Sequence, residues 1–322
     1  MAADANDLLF EFARTHGGYE RALEAVEMKL CAGSLAEFVR LAWHIVEPGR
    51  PYTHGWHIDF ICAHLEAITN GVRLDDGSYY NRLLVNVPPG TMKSLLTNVF
   101  WPAWEWGPKN MPHLRYVCAA HKVENLSARD SRRMRELITS EWYRTRWGDR
   151  VSLASDQNEK LNFQNEKGGF RIATAIGSLT GIRGDRVIID DPHSVESAGS
   201  DTMRDAEVTT FLEAIPSRLN DPIKSAIVVI MQRLHQQDVS GVIIERKLGY
   251  DHIMLPMRYD PLRDFTAVSL THATPRVLVV HPSVPVTSVA SLIVHARAHP
   301  GELTYGSAGS GSSIHLAGEL FA

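Results

Sequence analysis

Cysteine is scarce in this 322-residue chain: Cys31, Cys62 and Cys118 are far apart, odd in number and form no CxxC pair. That spacing excludes a disulfide framework and points to reduced thiols. Long apolar runs are missing too. Nothing approaches the about 18 consecutive apolar residues of a membrane-crossing helix, and the opening MAADANDLLFEFARTHGG carries acids and no secretory apolar segment. A cytoplasmic protein without a signal peptide and without membrane contact is therefore expected. There is no excess of positive charge either; with a formal net charge of -4, any attraction for phosphate must come from local clusters. No internal repeat or long low-complexity tract occurs, and GSAGSGSS, Gly306 to Ser313, reads as a short small-residue loop. The histidines His54, His57 and His64 match no familiar zinc spacing.

What is present is an ordinary globular composition, 44% hydrophobic and 22% charged, long enough for about two domains. The first 45 residues have helical spacing, with Leu23, Val26 and Leu30, then Leu35, Phe38, Val39, Leu41 and Ala42, as candidate core positions. A further helix, WHIDFICAHLEAIT from Trp56, places Ile58, Ile61, Cys62 and Leu65 on one face. Short β-prone runs then alternate with helical stretches: RLLVNV (82–87), LRYVCAA (114–120), FRIATAI (170–176), RVIIDD (186–191) and SAIVVIMQ (225–232). Near-continuous apolar strands separated by helices predict a largely parallel sheet covered on both faces.

In such sheets ligands bind beyond the carboxyl ends of the strands. The first strand runs into Pro88-Pro89-Gly90-Thr91-Met92-Lys93-Ser94. A Lys-Ser pair opening a helix there suits either a phosphate-binding loop, with main-chain amides, a lysine and a hydroxyl for magnesium, although Val87 and Met92 stand where glycines are expected, or an exposed lysine in a plain βα turn. RVIIDDP ends a buried strand in Asp190 and Asp191, where the first acid can hold Mg²⁺ and the second can polarise a water, or the pair is an acidic turn closing the strand. Gln232-Arg233 closes the last strand, either as a polar contact to a phosphate or as a strand cap with a solvated arginine. Arg129, Arg132, Arg133 and Arg135 either contact DNA phosphates or a neighbouring nucleotide site, or form a solvated face with Asp130 and Glu136.

Five blocks, PYTHGWHIDFICAHLEAI, VPPGTMKS, SARDSRRMRELITSEWYRTRWGD, GGFRIATAIGSLTGIRGDRVIIDDPHSVESA and SRLNDPIKSAIVVIMQRLHQQDVSG, resemble in order the ATPase domain of tailed-phage terminase large subunits. The resemblance implies an α/β P-loop NTPase fold, ATP and Mg²⁺ as cofactors, and an ATP-hydrolysing motor that packages viral DNA. Matched position by position, Pro89, Gly90, Thr91, Met92, Lys93 and Ser94 form the Walker A loop. Ser94 and Asp190 hold magnesium, and Asp191 stands at the catalytic Walker B carboxylate, usually a glutamate in that family. Gln232 and Arg233 couple hydrolysis to movement, and His57 falls at an adenine-reading position or is a surface histidine. The implied partners are double-stranded DNA, the portal and procapsid, the small terminase subunit and a ring of copies on the portal, in the cytoplasm of a bacterial host carrying a prophage.

After Pro261 the chain departs from that family: Asp264, Glu302 and Glu319 are its only side-chain acids, too few for a two-metal nuclease. The stretch from Thr274 to Phe321 resembles instead a piece of the periplasmic Bug-type receptors of tripartite tricarboxylate transporters, in which the loop matching Ser307 to Ser313 helps hold a carboxylate. The expected organisation is a helical segment 1–45, a terminase-like ATPase domain 46–262, and a small incomplete α/β tail 263–322. The expected function is a packaging ATPase truncated before its nuclease; a helicase-like ATPase, or a non-functional chimera with a carboxylate-binding fragment, are the alternatives.

Overall fold

The structure, a computed structural model, describes residues 18–122, 127–158, 161–179, 181–256, 284–286, 288–299 and 302. It divides into two compact units, 1–259 and 260–322.

Among the described residues of the first unit, three helices come first: α1 (Tyr19–Gly33), α2 (Leu35–Val46) and α3 (Trp56–Thr69). Ser34 stops α1 by turning extended, and its hydroxyl accepts the Glu37 N–H to cap α2. The predicted faces of α2 and α3 are buried, including Leu35, Phe38, Val39, Ala42, Ile58, Ile61, Cys62 and Leu65. The stripe expected on α1 faces solvent instead: Leu23, Val26 and Leu30 are exposed, and Ala22 and Cys31 are buried. The small face turns inward because a tryptophan occupies the space beneath it, with Trp104 donating its indole N–H to the Cys31 carbonyl at 2.6 Å. Residues 1–17 of the expected helical segment lie outside the described residues.

Eight strands form one sheet in the order β3-β4-β5-β2-β6-β7-β1-β8. They are β1 (Arg82–Asn86), β2 (Tyr116–Ala120), β3 (Leu153–Asn158), β4 (Asn162–Asn165), β5 (Phe170–Ala175), β6 (Arg186–Asp190), β7 (Ala226–Met231) and β8 (Asp251–Met254). Pairing is parallel from β5 through β2, β6, β7 and β1 to β8, and antiparallel only at the β3-β4-β5 edge. The α/β class and largely parallel sheet expected from the apolar runs are therefore present.

Between β1 and β2 the chain is helical from Lys93 to Trp106, as α4 (Lys93–Leu95), a π turn (Leu96–Phe100) and α5 (Trp101–Trp106). Next come α6 (Ala128–Thr139), α7 (Glu141–Trp147), α8 (Val195–Gly199), α9 (Asp201–Ala214) and α10 (Val239–Glu245). Alternation along the strands divides the core in two. Leu83, Val85, Ile188, Val228 and Ile230 meet one layer with Phe38, Phe100 and Trp104, while Leu84, Val187, Ile189, Ile227 and Val229 meet the other with Val208 and Phe211. Burying each such aliphatic side chain contributes about 1.5–3 kcal/mol, so the central strands need cover on both faces.

A buried ion pair fixes the helical stretch to the sheet. Glu105, fully buried on α5, receives Arg186 Nη2 at 2.8 Å, the Thr69 hydroxyl at 2.8 Å and the Tyr116 hydroxyl. In the second unit the described helix is α11 (Val289–Ala298), opened by a reciprocal Ser288–Ser291 capping box. The Gly306–Ser313 loop of the sequence reading lies outside the described residues.

Candidate functional site

The loop after β1 is shaped by two left-handed residues, Gly90 (φ 83°) and Met92 (φ 62°). Glycine takes that conformation freely, whereas for methionine it is strained. Thr91 closes the turn by donating its hydroxyl to the Pro88 carbonyl at 2.8 Å, and Met92 then delivers Lys93 into the first turn of α4. Pro89 and Gly90 form an exposed lip, Ser94 is half-buried and Lys93 is buried.

Asp190 and Asp191 leave β6 in different directions. Asp190 is buried at the carboxyl end of the central strand β6, where its Oδ2 accepts the Asn98 amide at 3.0 Å. Asp191 sits at φ 42°, its N–H donating to the Ile230 carbonyl at 2.9 Å. That turn aims its carboxylate at the loop: Oδ1 lies 2.7 Å from Lys93 Nζ and also accepts the Gln232 N–H at 3.1 Å. Burial pushes the Asp190 carboxyl up to about 7, helped by the carboxylates of Asp191 and Asp130, while the Ser94 hydroxyl and Lys93 oppose the shift.

Lys93, Ser94, Asp190, Asp191 and the Gln232 main chain thus converge at the carboxyl ends of β1, β6 and β7. Arg233 does not join them. Its guanidinium holds the following loop, 3.2 Å from Asp238 and donating to the carbonyls of His235 and Gln236. Among the described residues no hydrogen bond ties His57 to this corner. It lies in the first turn of α3, where burial and neighbouring His54 hold its imidazole below the usual histidine range. The arginines of α6 are engaged within the protein: Arg129 with Asp130 at 2.8 Å, Arg132 with Glu136 at 3.7 Å and Arg133 with Glu47 at 2.5 Å. Asn98 escapes sequence reading, although a lone amide in the apolar run SLLTNVF is the kind of signal that marks it.

The family model for the tripartite tricarboxylate transporter family receptor matches residues 238–322. Three curated relatives share that region. A UPF0065 protein from the tcbD-tcbE intergenic region of Pseudomonas sp. strain P51 is 37% identical over 26% of this chain and 23% of its own length. A UPF0065 protein of Bordetella pertussis is 36% identical over 29% of this chain and 30% of its own. Protein BugT of Bordetella pertussis is 36% identical over 21% of each. The chain spans less than a third of the length of these relatives. Among solved structures, the HK97 bacteriophage large terminase aligns with a TM-score of 0.46 and 14% identity, over 71% of this chain and 45% of that one; a likeness of that degree carries no argument.

These matches correct the functional expectation. The family match and the curated relatives point to a transporter receptor, and not to a terminase motor or an ATPase. ATP and Mg²⁺ as cofactors, the Walker assignments, the helicase alternative, and DNA, portal, procapsid, small-subunit and ring partners are withdrawn on that finding. The chimera reading is no better supported. The cytoplasmic, prophage-derived location falls with them, because the receptor type resembled by the tail is periplasmic and works with a transporter. The geometry supplies a physical reason for the misreading. A strand-end lysine and a strand-end aspartate make an ion pair in their own right, and here Lys93 is already neutralised by Asp191.

Proposed function

We propose that the chain takes part in recognising a small carboxylate, in the manner of a tripartite tricarboxylate transporter receptor, with a transporter as its partner and the periplasm as its location. The observation that carries this reading is the family match over residues 238–322, echoed by three relatives at 36–37% identity. Within that stretch Gly306 to Ser313 is the small-residue segment resembling the carboxylate-holding loop of Bug-type receptors. The test is calorimetric titration of the full chain with citrate, tricarballylate and succinate. Saturable one-site binding that weakens in Ser312→Pro supports the reading, and no binding of any of the three at millimolar concentration removes it.

A second reading is favoured by one observation, the convergence of Lys93, Ser94, Asp190 and Asp191 at neighbouring strand ends. We infer that residues 46–262 form a domain with a P-loop NTPase type of fold, resembling that of terminase large subunits, between a helical segment 1–45 and a separate tail 263–322. In this reading Pro89, Gly90, Thr91, Met92, Lys93 and Ser94 cradle a phosphate-type oxyanion, with Lys93 as its cation and Asp190, Asp191 and Gln232 as the polar wall. Arg233, bonded to Asp238 and its own loop, and His57 make no part of that cradle. A charge-assisted hydrogen bond contributes about 1.5–3 kcal/mol, so Lys93→Ala should weaken binding of inorganic pyrophosphate about tenfold or more. Equal affinity in the variant, or no pyrophosphate binding by the wild type, rejects this reading.

A further inference from the structure

Behind the Lys93–Asp191 corner, four side chains from four elements meet in the interior: Asn98 of the π turn, Asp130 of α6, Arg171 of β5 and Asp190 of β6, all at most 4% exposed. They are tied together in part. Asn98 donates its side-chain amide to Asp190 Oδ2 at 3.0 Å, and its main-chain carbonyl accepts Arg171 Nε–H at 3.3 Å. Helix α6 packs on both the π turn and β5, which brings Asp130 to the same place. The Asp130 carboxylate acts electrostatically on Asp190, and both acids, with Arg171, act on the buried Cys118 thiol.

Polar atoms remain over after these bonds. Asn98 Oδ1, Asp130 Oδ2, Asp190 Oδ1 and both Nη atoms of Arg171 are buried with no hydrogen-bond partner among the described residues. Buried polar groups in folded proteins are satisfied, and a guanidinium withdrawn from solvent needs partners more than most. The set contains unmet donors and unmet acceptors together. A cation placed among them would face the guanidinium, and an anion would face two carboxylates. A neutral molecule that both donates and accepts meets every requirement at once.

We infer that Asn98, Asp130, Arg171 and Asp190 line a buried water site, in which ordered water bridges the Arg171 guanidinium to the two carboxylates. This site is independent of either reading of the protein's function. Water there links α6 to the strand-end acid through hydrogen bonds comparable with direct ones, and Arg171 is its principal donor.

A crystal structure of the full chain with ordered solvent tests the inference directly. The expected result is at least one water within about 2.7–3.2 Å of an Arg171 Nη and of a carboxylate oxygen of Asp130 or Asp190. In solution, the Asn98 side-chain amide protons should show a cross-relaxation peak with long-lived water, kept in the surface variant Arg132→Ala and lost in Arg171→Met. Where Arg171→Met does not fold, the wild-type crystal and spectrum decide. Direct guanidinium–carboxylate contact with no solvent between, an ion identified there by anomalous scattering, or no water cross-peak in the wild type would overturn it.

Discussion

Lys93 and Asp191 satisfy each other: the ammonium lies 2.7 Å from Oδ1, and the same oxygen takes the Gln232 N–H at 3.1 Å. The corner is therefore closed on its own counter-charge. Any incoming oxyanion competes with a carboxylate already in place.

That competition predicts the effect of Asp191→Asn. Asparagine tolerates the left-handed backbone found here, so the fold is retained while Lys93 loses its anionic partner. Pyrophosphate affinity should rise about tenfold, equivalent to about 1.4 kcal/mol. Titration of variant and wild type at the same ionic strength checks it, and unchanged or weaker binding counts against Asp191 as the competitor.

A stability test addresses the Glu105–Arg186 pair. Removing one member of a buried ion pair strands the other charge, at a cost of about 3–5 kcal/mol. Glu105→Ala strands Arg186, which is 8% exposed, and should lower the urea midpoint accordingly. Glu105→Gln retains hydrogen bonding and should lose less. A loss below about 1 kcal/mol in the alanine variant would mean that the pair does not anchor α5.

The thiols carry a pH prediction. Burial pushes the Cys31 thiol up to about 12, with Glu27 adding to the shift, and raises Cys62 and Cys118 as well. A raised folded value means that the contribution to stability is complete below the unfolded thiol value, about 8.5, and is lost as pH climbs toward 12. Ellman's reagent at pH 8 should therefore leave all three thiols unmodified in the native protein and titrate three in denaturant. Rapid native labelling of any of them contradicts the burial.

Five strands could be read from the sequence because each is an apolar run of β-prone residues, and RLLVN, YVCAA, FRIATA, RVIID and AIVVIM are found at β1, β2, β5, β6 and β7. The remaining three could not. LASDQN is largely polar and NFQN and DHIM are short, and they are strands because an existing sheet edge offers them hydrogen bonds. The convergence of Lys93 with Asp191 follows from strand ends and was legible. Asp191's left-handed turn and the inward Arg171 depend on long-range packing and were not. The chemistry assigned to the corner went furthest astray: a Lys-Ser pair and an Asp-Asp pair specify a place for charge, but not which ligand, if any, comes to it.

The π turn in the helix after β1 has a geometric consequence. Lys93 and Glu105 are twelve positions apart, which in an unbroken α-helix would point them about 120° from each other. One extra residue in the turn at Leu96–Phe100 sets the later side chains back by about 100°, leaving the two within roughly 20°. Twelve residues of helix rise about 18 Å, close to the about 16 Å that separates Arg186 from Asp191 along an extended strand. Helix and strand thus act as two rulers of matching length, pinned at one end by Lys93 with Asp191 and at the other by Glu105 with Arg186. Deleting a single residue from the turn leaves both rulers intact and puts one pin out of register, so no point substitution at either end could restore the pair it breaks.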